Sequence, residues 1–263
     1  MPIIDKTAII ESGAEIGEGV TIGAYAFVGK HVVIGEGTTI AHGAHIEGHT
    51  TIGKNNKIFP YAVLGTAPQD LKYNGEPTQL VIGEGNTFRE FTQVNIGTEH
   101  GGGVTRIANN SLFMGHVHIA HDNIIGERVV IANFVALAGH VELGDFVVVG
   151  GESAIHQFVR IGRNTMIAGA SAVSQDIPPF CLAEGNRAVI RGLNLVGLRR
   201  TLSREAIDAL KPIFKDVFRS NHSPKAVAEQ LITQALSAEA KEFCEFIINA
   251  KRGVPSAHIQ EQQ

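Results

Sequence analysis

The chain has 263 residues, 44% of them hydrophobic, and a formal net charge of −4. That length suits a full apolar core with a small second unit, and the acidic total, without any groove-reading motif, argues against a nucleic-acid partner. No apolar run approaches the ~18 residues of a membrane span, and the first residues lack the basic and apolar regions of a signal peptide, so a cytoplasmic protein with no transmembrane segment is expected.

From the N-terminus, apolar residues recur every six positions at Ile4, Ile10, Ile16, Ile22, Val28, Ile34, Ile40, Ile46, Ile52, Ile58 and Leu64. The phase restarts at Ile82, Phe88 and Val94, then settles from Ile107 through Ile131 to Val173. A sustained six-residue period with small residues after the anchor marks a parallel β-helix. Three hexads close a triangular coil of eighteen residues, and coils stack at about 4.8 Å. The position two before each anchor, small or β-branched at Ala14, Val20, Val129 and Val147, shares its inward face, because alternate residues of a strand point the same way. Gly17, Gly23, Gly29, Gly35 and Gly53 are expected at corners, where positive φ or close backbone approach is needed.

Two stretches break the phase, near 66–81 and near 98–106, the second containing Gly101-Gly102-Gly103. Insertions in a solenoid leave as loops and often mark its binding face. The anchors stop at Pro178-Pro179, and from about Gly185 the spacing turns helical. Ile207, Leu210, Phe214, Val217 and Phe218 suit one buried helix face; Ser203 can cap that helix, Pro224 opens the next after Ser223, and Phe243, Phe246 and Ile247 read as a last amphipathic helix. The expected organisation is mainly β: a hexapeptide-repeat β-helix over 1–184 and a small α-helical C-terminal domain over 185–263. Cys181 and Cys244 are isolated and are expected as unpaired thiols packed like small apolar groups.

Charge is uneven. Arg187, Arg191, Arg199, Arg200, Arg204, Lys211, Lys215 and Arg219 outnumber the acids between Asn186 and Arg219. Such a patch attracts an acidic partner or phosphates; a solvated helix face with no partner is the alternative.

Histidines carry the strongest chemical signal. His116, His118, His121, His140 and His156 lie within 41 residues, beside Asp122 and Gln157. By eighteen-residue arithmetic His121, Gly139 and Gln157 occupy equivalent places on successive coils, so the five histidines are expected to gather at one edge of the stack. A histidine can act as a general base near neutral pH, with a carboxylate fixing its tautomer. Asp122 is the candidate, provided a turn brings two consecutive side chains together. His31, His42, His45 and His49 are expected mostly on the surface.

The fragments Gln69-Asp70-Leu71-Lys72-Tyr73, His118-Ile119-Ala120-His121-Asp122, Leu137-Ala138-Gly139-His140, His156-Gln157-Phe158 and Glu184-Gly185-Asn186-Arg187, followed by a basic helical cap, together resemble the hexapeptide-repeat acyltransferase family, and within it the acyl-carrier-protein-dependent UDP-N-acetylglucosamine O-acyltransferases of lipid A biosynthesis. The resemblance implies a left-handed β-helix, a homotrimer with sites between neighbouring solenoids, and transfer of an (R)-3-hydroxyacyl chain to the sugar 3-position. It makes His121 the base, Asp122 its orienting carboxylate and the Gly139 N–H an oxyanion donor. His118, His140, His156 and Gln157 match the sugar and diphosphate pocket, with Asp70 and Lys72 reaching in from the first insertion. Asn194, Arg199 and Arg200 match cap positions on the nucleotide or carrier side, and Gly169 with Arg187 the region that measures acyl length. No metal or bound cofactor is implied; phosphopantetheine arrives with the carrier protein. Asn95 stands where many relatives have a histidine, and Val196 where a glutamate often helps hold the nucleotide.

Two other classes compete. His116 and His121 resemble part of the γ-class carbonic anhydrase zinc pattern, whose first histidine would fall near Leu80, where this chain has none. A noncatalytic solenoid would use none of the histidines.

Overall fold

The computed structural model describes residues 1–257, so positions 258–263 of the expected helical domain lie outside the described residues. Strands of mostly two residues, one per hexad, gather into three sheets of 11, 9 and 8 strands. Pairing is parallel: His118 opposes Ala136, which opposes Ala154, which opposes Ala172. Each coil lies on the next in the eighteen-residue register that the hexads predict. Where Lys57 pairs with Thr87, and Thr87 with Leu112, the offset is larger, and the excess leaves as the two loops. These are shorter than the phase break suggests, because the flanking strands extend to Val63–Thr66, Gln79–Ile82 and Val104–Ile107.

Anchors from Ile22 to Val173 fill the prism, with Ile58, Val94, Ile131 and Leu137 at 0–1% exposure. The first coil differs: Ile4 is 43% exposed and Ile10 and Ile16 only half-buried, because among the described residues their strands end the three sheets.

The corner glycines serve close approach. A Cβ on Gly35 would sit 2.5 Å from the Gly53 carbonyl carbon of the next coil. Left-handed φ falls instead on other residues, among them Tyr61, Phe91, His116 and Phe134, at 59–62°. Each such residue costs roughly 1–2 kcal/mol. At this corner the rings stack in a ladder, Tyr61 on Phe91 at 5.5 Å, Phe91 on His116 at 4.9 Å and His116 on Phe134 at 4.7 Å, each contact contributing ~0.5–1.5 kcal/mol and offsetting much of that strain.

The C-terminal end departs from expectation between 181 and 193. Cys181–Glu184 joins the solenoid as a parallel strand and then pairs antiparallel with Val189–Leu193, so helix begins at Leu195 rather than near Gly185. Among the described residues four helices follow: α1 (Leu195–Thr201), α2 (Arg204–Arg219), α3 (Pro224–Leu231) and α4 (Ala238–Ile248). Ser203, Ser223 and Ser237 each cap a helix by accepting a backbone N–H, and Ile207, Leu210, Phe214 and Val217 bury one face of α2. Arg163 ties α4 to the stack, bonding Glu242 at 2.9 Å while lying over Phe180. Cys181 and Cys244 are buried and unpaired; burial pushes the Cys181 thiol far up and, with help from Glu245, the Cys244 thiol to about 11.

Ile131→Asp should yield insoluble or unfolded protein, because it buries an unpaired charge in the stack, whereas Ile131→Val should cost only about 0.5–1.5 kcal/mol. Solubility and thermal melting measure both; a soluble, cooperatively melting Ile131→Asp protein would show the inward face to be misassigned.

Candidate active site

The sheet containing His118, Ala136, Ala154 and Ala172 forms one face of the prism, and the turns that leave its strands carry the site. His121, Gly139 and Gln157 stack there in register. Asp122 adopts a left-handed φ of 60°, and this turn overcomes the alternation that would send consecutive side chains apart. His121 Nδ1 lies 2.7 Å from Asp122 Oδ2. His140, at the same turn position one coil on, meets the His121 ring edge-on at 5.0 Å and holds Nε2 3.8 Å from Asp122 Oδ2.

Gly139 lies directly against the imidazole. A Cβ there would fall 2.6 Å from His121 Cε1 and 2.8 Å from Nε2, so any side chain would displace the ring. The neighbouring Ala138 and His140 N–H groups donate to Ile155 and His121 carbonyls, whereas the Gly139 N–H has no partner among the described residues. A free peptide donor thus stands beside the unbonded edge of a histidine paired to a carboxylate. That is the equipment for proton removal next to a developing oxyanion.

Thr98, which the sequence does not single out, completes the pair: its N–H donates to Asp122 Oδ1 at 2.9 Å and its hydroxyl to Oδ2 at 2.6 Å. The only linear signal is that the second insertion opens at this residue.

The remaining residues divide. His118 is half-buried on the sheet face, and burial, reinforced by His121, holds its pKa below the usual histidine value. Burial lowers the His140 pKa as well, against the opposing charges of Asp122 and Asp70. Asp70 is therefore near the cluster, half-buried in its loop, while Lys72 is exposed and gives its backbone N–H to Asp70 Oδ1 at 3.0 Å. His156 and Gln157 are exposed. Gly169 lies at the opposite corner of the same face and is exposed, as is Arg187, next to Ala188, whose N–H joins the Ala172 carbonyl.

One expectation needs correction. The five histidines do not form one cluster, because His116 belongs to the ring ladder at the far corner, stacked between Phe91 and Phe134. The His116–His121 metal pairing therefore does not form; His121, Asp122 and His140 bring donor atoms within 4.8 Å of one another, but both Asp122 oxygens are already hydrogen-bonded. Of the early histidines, His31 and His42 are exposed, while His45 is half-buried, stacked on Phe27 and 3.0 Å from Glu47, and His49 is half-buried against His31.

Asn95 is fully buried and ties down the first insertion, donating to Thr66 Oγ1 and the Ala67 carbonyl at 3.0 Å. Asn194 is also committed to the fold: it accepts the Gly197 N–H to cap α1 and donates to the Asn164 carbonyl at 2.9 Å. Val196, Arg199 and Arg200 are exposed on α1. Arg199 rims a hollow of about 450 Å³ floored by Leu195, Leu202 and Ile207. Ion pairs occupy part of the basic surface, Arg191 with Glu184 at 2.9 Å and Lys211 and Arg204 with Asp208 at 2.7 and 3.7 Å.

The six-residue repeats build a parallel β-helix with a histidine–carboxylate pair in its turns, and residues 31–66 match the bacterial transferase hexapeptide model, which places the solenoid among the hexapeptide-type transferases. Residues 176–255 match the model for domain 2 of UDP-N-acetylglucosamine O-acyltransferase. Over 253 residues the chain is 56% identical to the acyl-[acyl-carrier-protein]--UDP-N-acetylglucosamine O-acyltransferase of Aliarcobacter butzleri, covering 96% of this chain and 97% of that protein. The corresponding protein of Campylobacter concisus is 51% identical, with 98% of each chain covered. The solved UDP-N-acetylglucosamine acyltransferase of Campylobacter jejuni superposes with a TM-score of 0.93 at 49% identity, covering 96% of this chain and 99% of that one. The chain belongs to the acyl-[acyl-carrier-protein]--UDP-N-acetylglucosamine O-acyltransferase family. Among the described residues no helix is long and apolar enough to cross a membrane.

The lowered His118 pKa has a consequence for stability. As pH falls through about 6.5, the unfolded chain takes up a proton that folded His118 resists, so the stability present above that pH is lost toward the lower folded value. Thermal midpoints at pH 7.5 and 5.5 should therefore drop less for His118→Gln than for the wild type. An unchanged difference would mean that burial of His118 does not couple to its titration.

Proposed function

We propose that the chain transfers an (R)-3-hydroxyacyl group from acyl carrier protein to the 3-hydroxyl of UDP-N-acetylglucosamine, the first step of lipid A biosynthesis, with His121 as general base. The observation that carries this reading is the His121–Asp122 pair at 2.7 Å with its free ring edge against Gly139. The sugar hydroxyl gives its proton to His121 Nε2 as its oxygen attacks the thioester carbonyl. Charge that develops on the carbonyl oxygen is met by the Gly139 N–H, a fixed donor that needs no reorganisation. Collapse of the tetrahedral intermediate breaks the carbon–sulfur bond, and the departing phosphopantetheine thiolate takes the proton back from His121. Asp122 orients the ring and stabilises the transient imidazolium.

His118 and His140, biased toward the neutral form by burial, can hydrogen-bond the sugar and diphosphate without a fixed charge; Asp70 and Lys72 supply polar groups from the insertion, and His156 and Gln157 extend the pocket. Acyl length is read along the face between the dyad and Gly169 with Arg187, where the outward positions Ala136, Ala154 and Ala172 are small. Arg199 and Arg200 serve the nucleotide or carrier side, with Asn194 positioning their helix. The exposure of His156 and Gln157 one coil beyond the dyad supports a homotrimer in which a neighbouring solenoid closes each cleft. The reaction draws on no bound cofactor.

Mass spectrometry of products from UDP-N-acetylglucosamine and its 3-amino analogue, each with carrier-bound 3-hydroxyacyl donors of several lengths, tests the reading. An ester product from the hydroxyl sugar is expected; no acyl transfer with any donor would leave a noncatalytic solenoid. His121→Ala should fold and lose about 10²- to 10⁴-fold in turnover, while Asp122→Asn should lose less. Wild-type turnover by His121→Ala would remove it from the mechanism.

The basic surface supports docking of an acidic carrier protein. Replacing Arg187, Arg191, Arg204, Lys211 and Lys215 by Ala should raise KM for carrier-bound donors and weaken its salt dependence, since the Debye length is only about 8 Å at physiological ionic strength. A short acyl-pantetheine donor should respond much less to either change. Equal responses by the two donors would assign the patch to the nucleotide or the fold.

A further inference from the structure

Asp122 is 5% exposed, and a buried carboxylate is tolerated only when its oxygens are bonded. The second insertion provides those bonds. Thr98 donates its N–H to Oδ1 and its hydroxyl to Oδ2. The direction of the hydroxyl bond follows from its other partner: Thr98 Oγ1 also lies 3.1 Å from the Gly101 N–H, which can only donate, so the single hydroxyl proton is left for Asp122. With Oδ2 an acceptor, the facing His121 Nδ1 at 2.7 Å is the protonated ring nitrogen. Nε2 then keeps its lone pair for the substrate.

The three consecutive glycines fit the same device for two different reasons. A Cβ on Gly101 would overlap the Asp122 carboxylate, whereas Gly102 and Gly103 have open space but φ of 98° and 80°. The first makes room for the carboxylate, and the other two turn the chain back so that the Gly103 N–H closes on the Thr98 carbonyl at 2.8 Å.

We propose that Thr98 is a positioning residue for acyl transfer: through the relay from the Gly101 N–H to the Thr98 hydroxyl to Asp122 it sets the orientation and tautomer of His121. This rests on His121 as the general base. Thr98 itself touches no reacting atom, so its effect runs wholly through Asp122.

Steady-state kinetics of the full-length protein with UDP-N-acetylglucosamine and a carrier-bound 3-hydroxyacyl donor test it. Thr98→Val keeps the side-chain shape without the proton and should lower kcat about 10- to 100-fold, leaving KM for the sugar nucleotide nearly unchanged. Thr98→Ala, measured alongside, should give the same split without a branched side chain, and Thr98→Ser, which keeps the hydroxyl, should recover most of the turnover. In an Asp122→Asn background Thr98→Val should cost little more, because both changes act on one group. Wild-type kcat in Thr98→Val and Thr98→Ala, or the same fold loss in both backgrounds, would overturn the proposal. His121→Ala separates the two levels: if it retains turnover, the base assignment and this proposal fall together, whereas an inactive His121→Ala beside a fully active Thr98→Val overturns the role of Thr98 alone.

Discussion

The parallel hydrogen-bond ladder between coils is the constraint on which everything else depends. A two-residue strand cannot stand alone, and here each interior strand is held by a strand of the coil on either side, as Ala136 is by His118 and Ala154, eighteen residues before and after. Inward residues are thereby stacked on their equivalents, so a substitution at Ile131 is felt by the coils on either side. The same register decides what the corners can be. Backbone atoms of successive turns approach so closely that Gly35 has no space for a methyl group, while left-handed corner residues present their rings outward in ladders.

That regularity is also what assembles the site. His121 and Gly139 meet because one coil separates them, and Asp122 and His140 meet because they occupy the same left-handed turn position on consecutive coils. No part of the dyad sits on a long flexible loop. Its rigidity comes from the stack on one side and the Thr98 insertion on the other, so the ring is held in one orientation. In the proposed mechanism such pre-organisation lowers the barrier, because a fixed donor and a fixed base need no rearrangement as charge develops.

Much of this was legible in the sequence because the information is periodic and local. The anchors from Ile22 to Val173 state the coil length, and the coil length states that His121, Gly139 and Gln157 align. Where the reading slipped, the cause was structure outside the repeat. His116 is five residues from His121, close in sequence, yet a whole sheet lies between their corners. Val189–Leu193 carries an apolar pattern too short to tell strand from helix, and its antiparallel pairing with Cys181–Glu184 settles it as strand. Thr98 was hidden because its partner lies 24 residues away across a non-periodic insertion. Nothing in the sequence foretold the structural use of Asn95, whose amide nitrogen holds Thr66 and Ala67. The roles of the cap arginines rest on resemblance, since their surface has no repeat to align it.

The central claim is that two successive turns of the solenoid, stacked at one corner, hold the base and the oxyanion donor on either side of the reacting bond. Its most direct test is a crystal structure of the protein bound to its acylated UDP-sugar product. The account predicts the sugar 3-oxygen within hydrogen-bond reach, about 3 Å, of His121 Nε2, and the acyl carbonyl oxygen at a similar distance from the Gly139 N–H. A well-ordered product whose 3-oxygen lies beyond the reach of His121, with its carbonyl on other donors, would contradict it.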